Sequence, residues 1–169
     1  MAIVTGASAG MKAAARATII QLRAPDSAAG AIEDEARSLV AQSPLPVVVS
    51  SRCDIALAAG AAGVNLPESD IPVAAARGLL GDLLLGRSVH SLESAVRSEQ
   101  EGADYVIFGP VWASPSHPGA HATGVKALAL VAHAVRIPVL AIGGVTVERI
   151  AECHAAGAAG YAAITMFSK

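Results

Sequence analysis

Short apolar runs, many of them β-branched, alternate along the whole chain with alanine-rich stretches whose apolar positions recur at helical spacing. The pattern predicts strands over residues 2–5, 18–22, 46–50, 63–66, 83–89, 105–109, 139–142 and 161–164. Between them it predicts helices over 11–16, 28–42, 54–59, 72–80, 91–101, 124–135 and 147–156. Strands that alternate one by one with helices form a parallel sheet with crossover helices.

One local unit recurs: Ala59-Gly60-Ala61-Ala62-Gly63-Val64, Glu101-Gly102-Ala103-Asp104-Tyr105-Val106 and Ala156-Gly157-Ala158-Ala159-Gly160-Tyr161. Each reads as a helix end, a capping glycine and the start of the next strand. A small unit repeated around eight strands favours a closed (β/α)8 barrel over an open doubly wound sheet. At 169 residues the barrel is compact and is read as one domain over 1–169, with a short first helix and no eighth helix. The flank without a helix is then exposed or covered by another subunit, so a homodimer is expected.

Composition narrows the partners. The formal charge is −2 and only 15% of residues are charged, which leaves no basic field for nucleic acid. The hydrophobic fraction is 53%, yet Gly, Pro and charges interrupt every apolar run before it reaches the roughly 20 residues a membrane helix needs. Cys53 and Cys153 have no metal-like spacing, and no signal-peptide pattern opens the chain. The expectation is a cytoplasmic, reduced protein with a small-molecule ligand.

Candidate chemistry collects where strands end. Ile19, Gln21 and Arg23 share one strand face, and so do Leu84, Gly86, Ser88 and His90, so apolar lower positions give way to polar upper ones. In a barrel those upper positions line a ligand cavity. Residues 110–124 form an unusually long loop with Ser114, Ser116 and the imidazole of His117, and Trp112 packs it as an apolar lid. Gly143-Gly144 ends a buried strand before a helix beginning near Val147, which describes either a tight turn or a phosphate seat. The opening Thr5-Gly6-Ala7-Ser8-Ala9-Gly10 looks like a short-chain dehydrogenase start, but Lys12 replaces that motif's last glycine and no Tyr-x-x-x-Lys follows.

In order and spacing, Gln21-Leu22-Arg23, Gly86-Arg87-Ser88-Val89-His90-Ser91, Gly102 to Pro110 and Ile137 to Gly144 resemble the thiamin phosphate synthase and TenI superfamily over nearly the full chain. The resemblance implies a TIM barrel in which Gly143, Gly144, Ile164 and Thr165 hold the phosphate of a thiazole phosphate or thiamin phosphate. It further implies substrate contacts by Gln21, Arg23, Ser50, Asp70, Ser114 and Ser116. Local wording around Ser51-Arg52-Cys53-Asp54 and Arg87-Ser88-Val89-His90 is closer to the TenI branch, some of whose members are thiazole tautomerases that need no metal.

Departures divide the activities. The synthase pattern has a lysine where Pro25 stands and an Asn-Asp pair where Ser50 and Ser51 stand, while Asp70 matches its metal-binding aspartate and Ser88 its active-site serine. Mg²⁺, with Asp70 as ligand, is implied only by the synthase reading. The tautomerase type has a histidine where Pro110 stands, so His117 or His90 must move the proton. The leading expectation is a TenI-like thiazole tautomerase; the alternatives are thiamin phosphate synthase and a phosphate-binding regulatory protein without turnover.

Overall fold

A computed structural model describes residues 1–114, 119 and 121–167. Eight parallel strands run in chain order: β1 (Ala2–Val4), β2 (Ile20–Leu22), β3 (Val47–Ser50), β4 (Gly63–Leu66), β5 (Leu84–Val89), β6 (Tyr105–Phe108), β7 (Val139–Ala141) and β8 (Gly160–Tyr161). Seven α-helices occur among the described residues: α1 (Ala7–Ala13), α2 (Ala29–Gln42), α3 (Cys53–Ala59), α4 (Val73–Leu80), α5 (Leu92–Gln100), α6 (Gly124–Ala134) and α7 (Ile150–Ala155). Ala36, Ala56, Ala76 and Ala95 are fully buried on four successive helices. A methyl at these positions lets helices and sheet approach closely.

The expected closed barrel is met in part. The sheet is an open, curled ladder, because β8 has only two residues and no ladder joins it to β1. One parallel bridge, Ala2 to Ala163, spans the seam, with Ile3 N–H donating to Ala163 O at 3.0 Å and the Met1 amino group to Tyr161 O at 2.7 Å. No eighth α-helix occurs among the described residues; Thr165–Phe167 is a 3-10 turn, and buried Phe167 stacks 6.4 Å from Tyr161.

The first helix starts earlier than its sequence predicts. Gly10 lies inside α1 rather than in a loop, because a side chain there would meet Leu39 Cδ2 at 2.4 Å and the close contact with α2 outweighs glycine's poor helix propensity. The Glu35 carboxylate accepts the Ala7 N–H at 2.5 Å. A protein carboxylate therefore occupies the helix start that a dinucleotide phosphate would need. The three capping glycines behave as expected, with φ of +67° at Gly60, +96° at Gly102 and +89° at Gly157.

Inside the curl, Ile3, Val48, Tyr105, Ile107 and Ala162 pack with Ile19, Leu140, Ile142 and Ile164. The outward strand faces join the helices in two further clusters. The Tyr105 hydroxyl is buried with no hydrogen-bond partner, and burial pushes its pKa far above the ordinary phenol value. Tyr105→Phe is therefore expected to raise unfolding free energy by about 1 kcal/mol in urea titration, since it removes an unpaired buried group. Unchanged or lowered stability would mean the hydroxyl has a partner.

Candidate functional site

At the C-terminal ends of the strands lies a cavity of about 350 Å³. Gln21 and Arg23 from β2 and its end, Ser50 from β3, Ser88 and His90 from β5 and its end, Ser114, Gly143 and Ile164 all line it. Strand alternation explains the convergence: every second residue points inward, and upper inward positions face the opening. Asn65 and Glu68 also line the cavity. Asn65 was legible as the inward partner of Gly63 on β4, whereas Glu68 sits in a loop with no period to reveal it.

Two buried polar side chains stand in the otherwise largely apolar cavity wall. Gln21 and Asn65 are each only 2% exposed, and their side-chain oxygens have no hydrogen-bond partner. The Asn65 amide N–H donates to Ser88 Oγ at 3.0 Å. Two buried acceptors without donors are complementary to a ligand that brings N–H or O–H groups. The titratable lining groups among the described residues are Arg23, Glu68 and His90. The Arg23 side chain is exposed, lines the cavity and makes no hydrogen bond or ion pair through its guanidinium among the described residues.

At the other end, Gly143 and Gly144 adopt φ of +89° and +64°. Their carbonyls face away from the cavity, Gly143 O accepting from Trp112 N–H at 3.1 Å and Gly144 O from Arg149 at 2.7 Å. Their N–H groups donate to nothing among the described residues. Backbone amides without partners are groups that can donate to an anion. Arg149 also lies 5.0 Å above the Trp112 ring, which packs against the outer core and pins the start of the long loop.

Other expected positions lie outside the cavity lining. Gly144 and Thr165 are not among the residues that line the cavity, and Thr165 is exposed in the 3-10 turn after β8. The helix expected from Val147 opens as a 3-10 turn, Val147–Arg149, and α7 has six residues, so little aligned dipole stands behind the glycines. Ser116 and His117 lie outside the described residues.

Asp70 does not line the cavity either. One carboxylate oxygen accepts from the Ser51 hydroxyl and the other from Ile71 N–H at 2.7 Å. Ser51 holds φ +68°, the only positive value among the described non-glycine residues, and its N–H donates to Asn65 O at 3.0 Å. Mg²⁺ requires several oxygen ligands in near-octahedral array. One doubly engaged carboxylate beside neutral Ser50 and Ser51 does not supply them, and no group of three or more His, Cys, Asp or Glu could hold a metal among the described residues. The residues present do not fit a resident Mg²⁺. Arg52 is also engaged, donating to both Asp54 oxygens at 2.8 and 2.5 Å, and those bonds lower the Asp54 pKa to about 2.

No helix among the described residues is long and apolar enough to cross a membrane. A family profile described as thiamine monophosphate synthase matches residues 5–167. The chain is 44% identical over 160 residues to the thiamine-phosphate synthase of Anaeromyxobacter dehalogenans, covering 92% of this chain and 71% of that protein. It is 42% identical over 133 residues to the putative thiamine-phosphate synthase 2 of Aquifex aeolicus, covering 79% and 72%. Among solved structures, thiamine phosphate pyrophosphorylase from Pyrococcus furiosus superposes with a TM-score of 0.89 at 28% identity, covering 99% of this chain and 87% of that one. The relatives from Anaeromyxobacter dehalogenans and Aquifex aeolicus carry the synthase name, and none of the three gives the narrower placement in the TenI branch separate support. By profile and by relatives of this similarity, the chain belongs to the thiamine monophosphate synthase family.

Proposed function

We propose that the chain is a thiamine-phosphate synthase joining a pyrimidine methyl diphosphate to a thiazole phosphate. The observation that carries this reading is the convergence of Gln21, Arg23, Ser88 and Gly143, far apart in sequence, on one cavity. The synthase names of the relatives at 42% and 44% identity support it over the tautomerase that local sequence wording favours.

In the reaction the carbon–oxygen bond to the diphosphate breaks and its electron pair leaves with pyrophosphate. The thiazole nitrogen lone pair forms the new carbon–nitrogen bond, so no proton or co-reactant is consumed. The free Gly143 N–H group, at the cavity wall, receives the thiazole phosphate. Gln21 and Asn65 oxygens accept from ring substituents. Arg23 meets the diphosphate, where an unpaired guanidinium stabilises charge that grows as the bond breaks.

The test is thiamine phosphate formation and pyrophosphate release by purified protein, with and without added Mg²⁺. Arg23→Ala is expected to lower kcat/KM by roughly 10²-fold, the usual effect of losing one such donor. Absence of product under both conditions would sink the proposal. A second reading, thiazole tautomerase, is favoured by the engagement of Arg52 with Asp54 and of Asp70 with Ser51, which leaves few groups for a diphosphate. His90 in the cavity would carry the proton. Tautomer conversion lost in His90→Ala, without thiamine phosphate formation, would establish it in place of the first.

A further inference from the structure

Arg87 stands on the outward face of β5, paired in register with Leu66 at the end of β4, and is only 9% exposed. It forms no ion pair among the described residues. Instead its guanidinium donates to three backbone carbonyls of the loop after β4: Glu68 O at 2.6 Å, Ile71 O at 2.7 Å and, more weakly, Asp70 O at 3.3 Å. A planar fork of five N–H donors can hold several carbonyls at once, which a single ammonium cannot reproduce.

The loop that Arg87 ties has its other side in the cavity. There the Glu68 carboxylate accepts the His90 backbone N–H at 3.2 Å and stands 3.8 Å from His90 Nε2. His90 Nδ1 bonds to the Gly109 carbonyl. A carbonyl only accepts, so Nδ1 carries a hydrogen, and in that tautomer of the ring the lone pair sits on Nε2. At 3.8 Å, Glu68 makes no hydrogen bond to Nε2, which stays open to a bound molecule.

The geometry points to Arg87 as a positioning residue of the site: from outside the sheet it fixes the loop that sets Glu68 against His90, and through them the presentation of Nε2 to the cavity. It touches no ligand itself. The inference rests on the proposed function only for what Nε2 meets; the positioning can be read without turnover.

The experiment follows the His90 imidazole ¹⁵N resonances of the full chain in Arg87→Ala, Glu68→Gln and the double variant. Each single variant is expected to move the His90 signals while leaving His133 and His154 in place, and Arg87→Ala is expected to add nothing once Glu68 is Gln. Two changes acting through one path are non-additive. Millimolar guanidinium chloride, against a sodium chloride control, is expected to restore the wild-type signals in Arg87→Ala. If that variant does not fold, Arg87→Lys takes its place, with an incomplete shift in the same direction expected. His90 signals unchanged by either Arg87 variant, or shifted equally in the Glu68→Gln background, would overturn the inference.

In the synthase assay Arg87→Ala is expected to lower kcat roughly tenfold to a hundredfold, as misplaced groups do, with KM for thiazole phosphate unchanged. That phosphate is assigned to the Gly143 turn, to which neither Arg87 nor Glu68 makes a hydrogen bond among the described residues. Failure of the wild-type protein to turn over would count against the proposed function alone, because the NMR comparison would still decide the role of Arg87.

Discussion

Gly143→Val is expected to abolish measurable binding of thiazole phosphate and to lower unfolding free energy by about 3 kcal/mol. A Cβ at this position would lie 2.5 Å from Pro110 Cβ and 2.6 Å from Pro110 Cα, and φ is +89°. A β-branched side chain in the left-handed region costs about 1–2 kcal/mol, and forcing atoms into a filled space costs about 1–3 kcal/mol more. Relief requires the turn to move away from the loop, which breaks the bond from Trp112 N–H to Gly143 O and reorients the turn's N–H groups. Calorimetry with thiazole phosphate reads the binding and urea titration the stability. Retained affinity in a folded variant would remove the glycine turn as the phosphate seat.

Gly63→Ala is expected to cost about 3 kcal/mol or more in urea titration, although alanine is the smallest replacement and φ at Gly63 lies outside the left-handed region. The added carbon would lie 1.9 Å from Leu84 O and 2.6 Å from Leu84 C, and these are backbone atoms that no rotamer change can move. Relief separates β4 from β5 at the pair Gly63–Leu84 and threatens the bond from Leu84 N–H to Ala62 O. Two residues along the same strand, Asn65 would shift with it, so ligand affinity should fall as well. Gly60→Ala is the control: it has open space but φ +67°, and is expected to lose only about 1 kcal/mol. If the two variants lost equal stability, the cost would be conformational and the close approach at Gly63 would not matter.

The contrast between Gly60 and Gly63 shows where sequence reading reaches its limit. Gly60 was legible because a helix end needs a left-handed residue, a requirement set by its immediate neighbours. Gly63 follows it in the same repeated unit, yet its role comes from Leu84 on the next strand, about twenty residues away. Arg87 is similar. Its outward position on β5 follows from alternation with Ser88, and an outward position there should be apolar; only the carbonyls of the loop after β4 account for a guanidinium. Asp70 matches the family's metal-binding aspartate by sequence; only the fold shows that the Ser51 hydroxyl donates to it.

By itself the sequence determined the order and type of the elements, the capping glycines and the inward polar ladder of Gln21, Arg23, Ser88 and His90. Those features follow from helical and strand periods and from turn chemistry, which act within a few residues. The tertiary structure alone decided that Glu68 joins the lining of the cavity while Asp70, Gly144 and Thr165 do not, that Arg52 is engaged by Asp54, and that the segment after β8 meets β1 at a single bridge, Ala163 to Ala2. A hydrogen bond forms with whatever partner the fold brings within about 3 Å, and that distance is set by segments far apart in the chain.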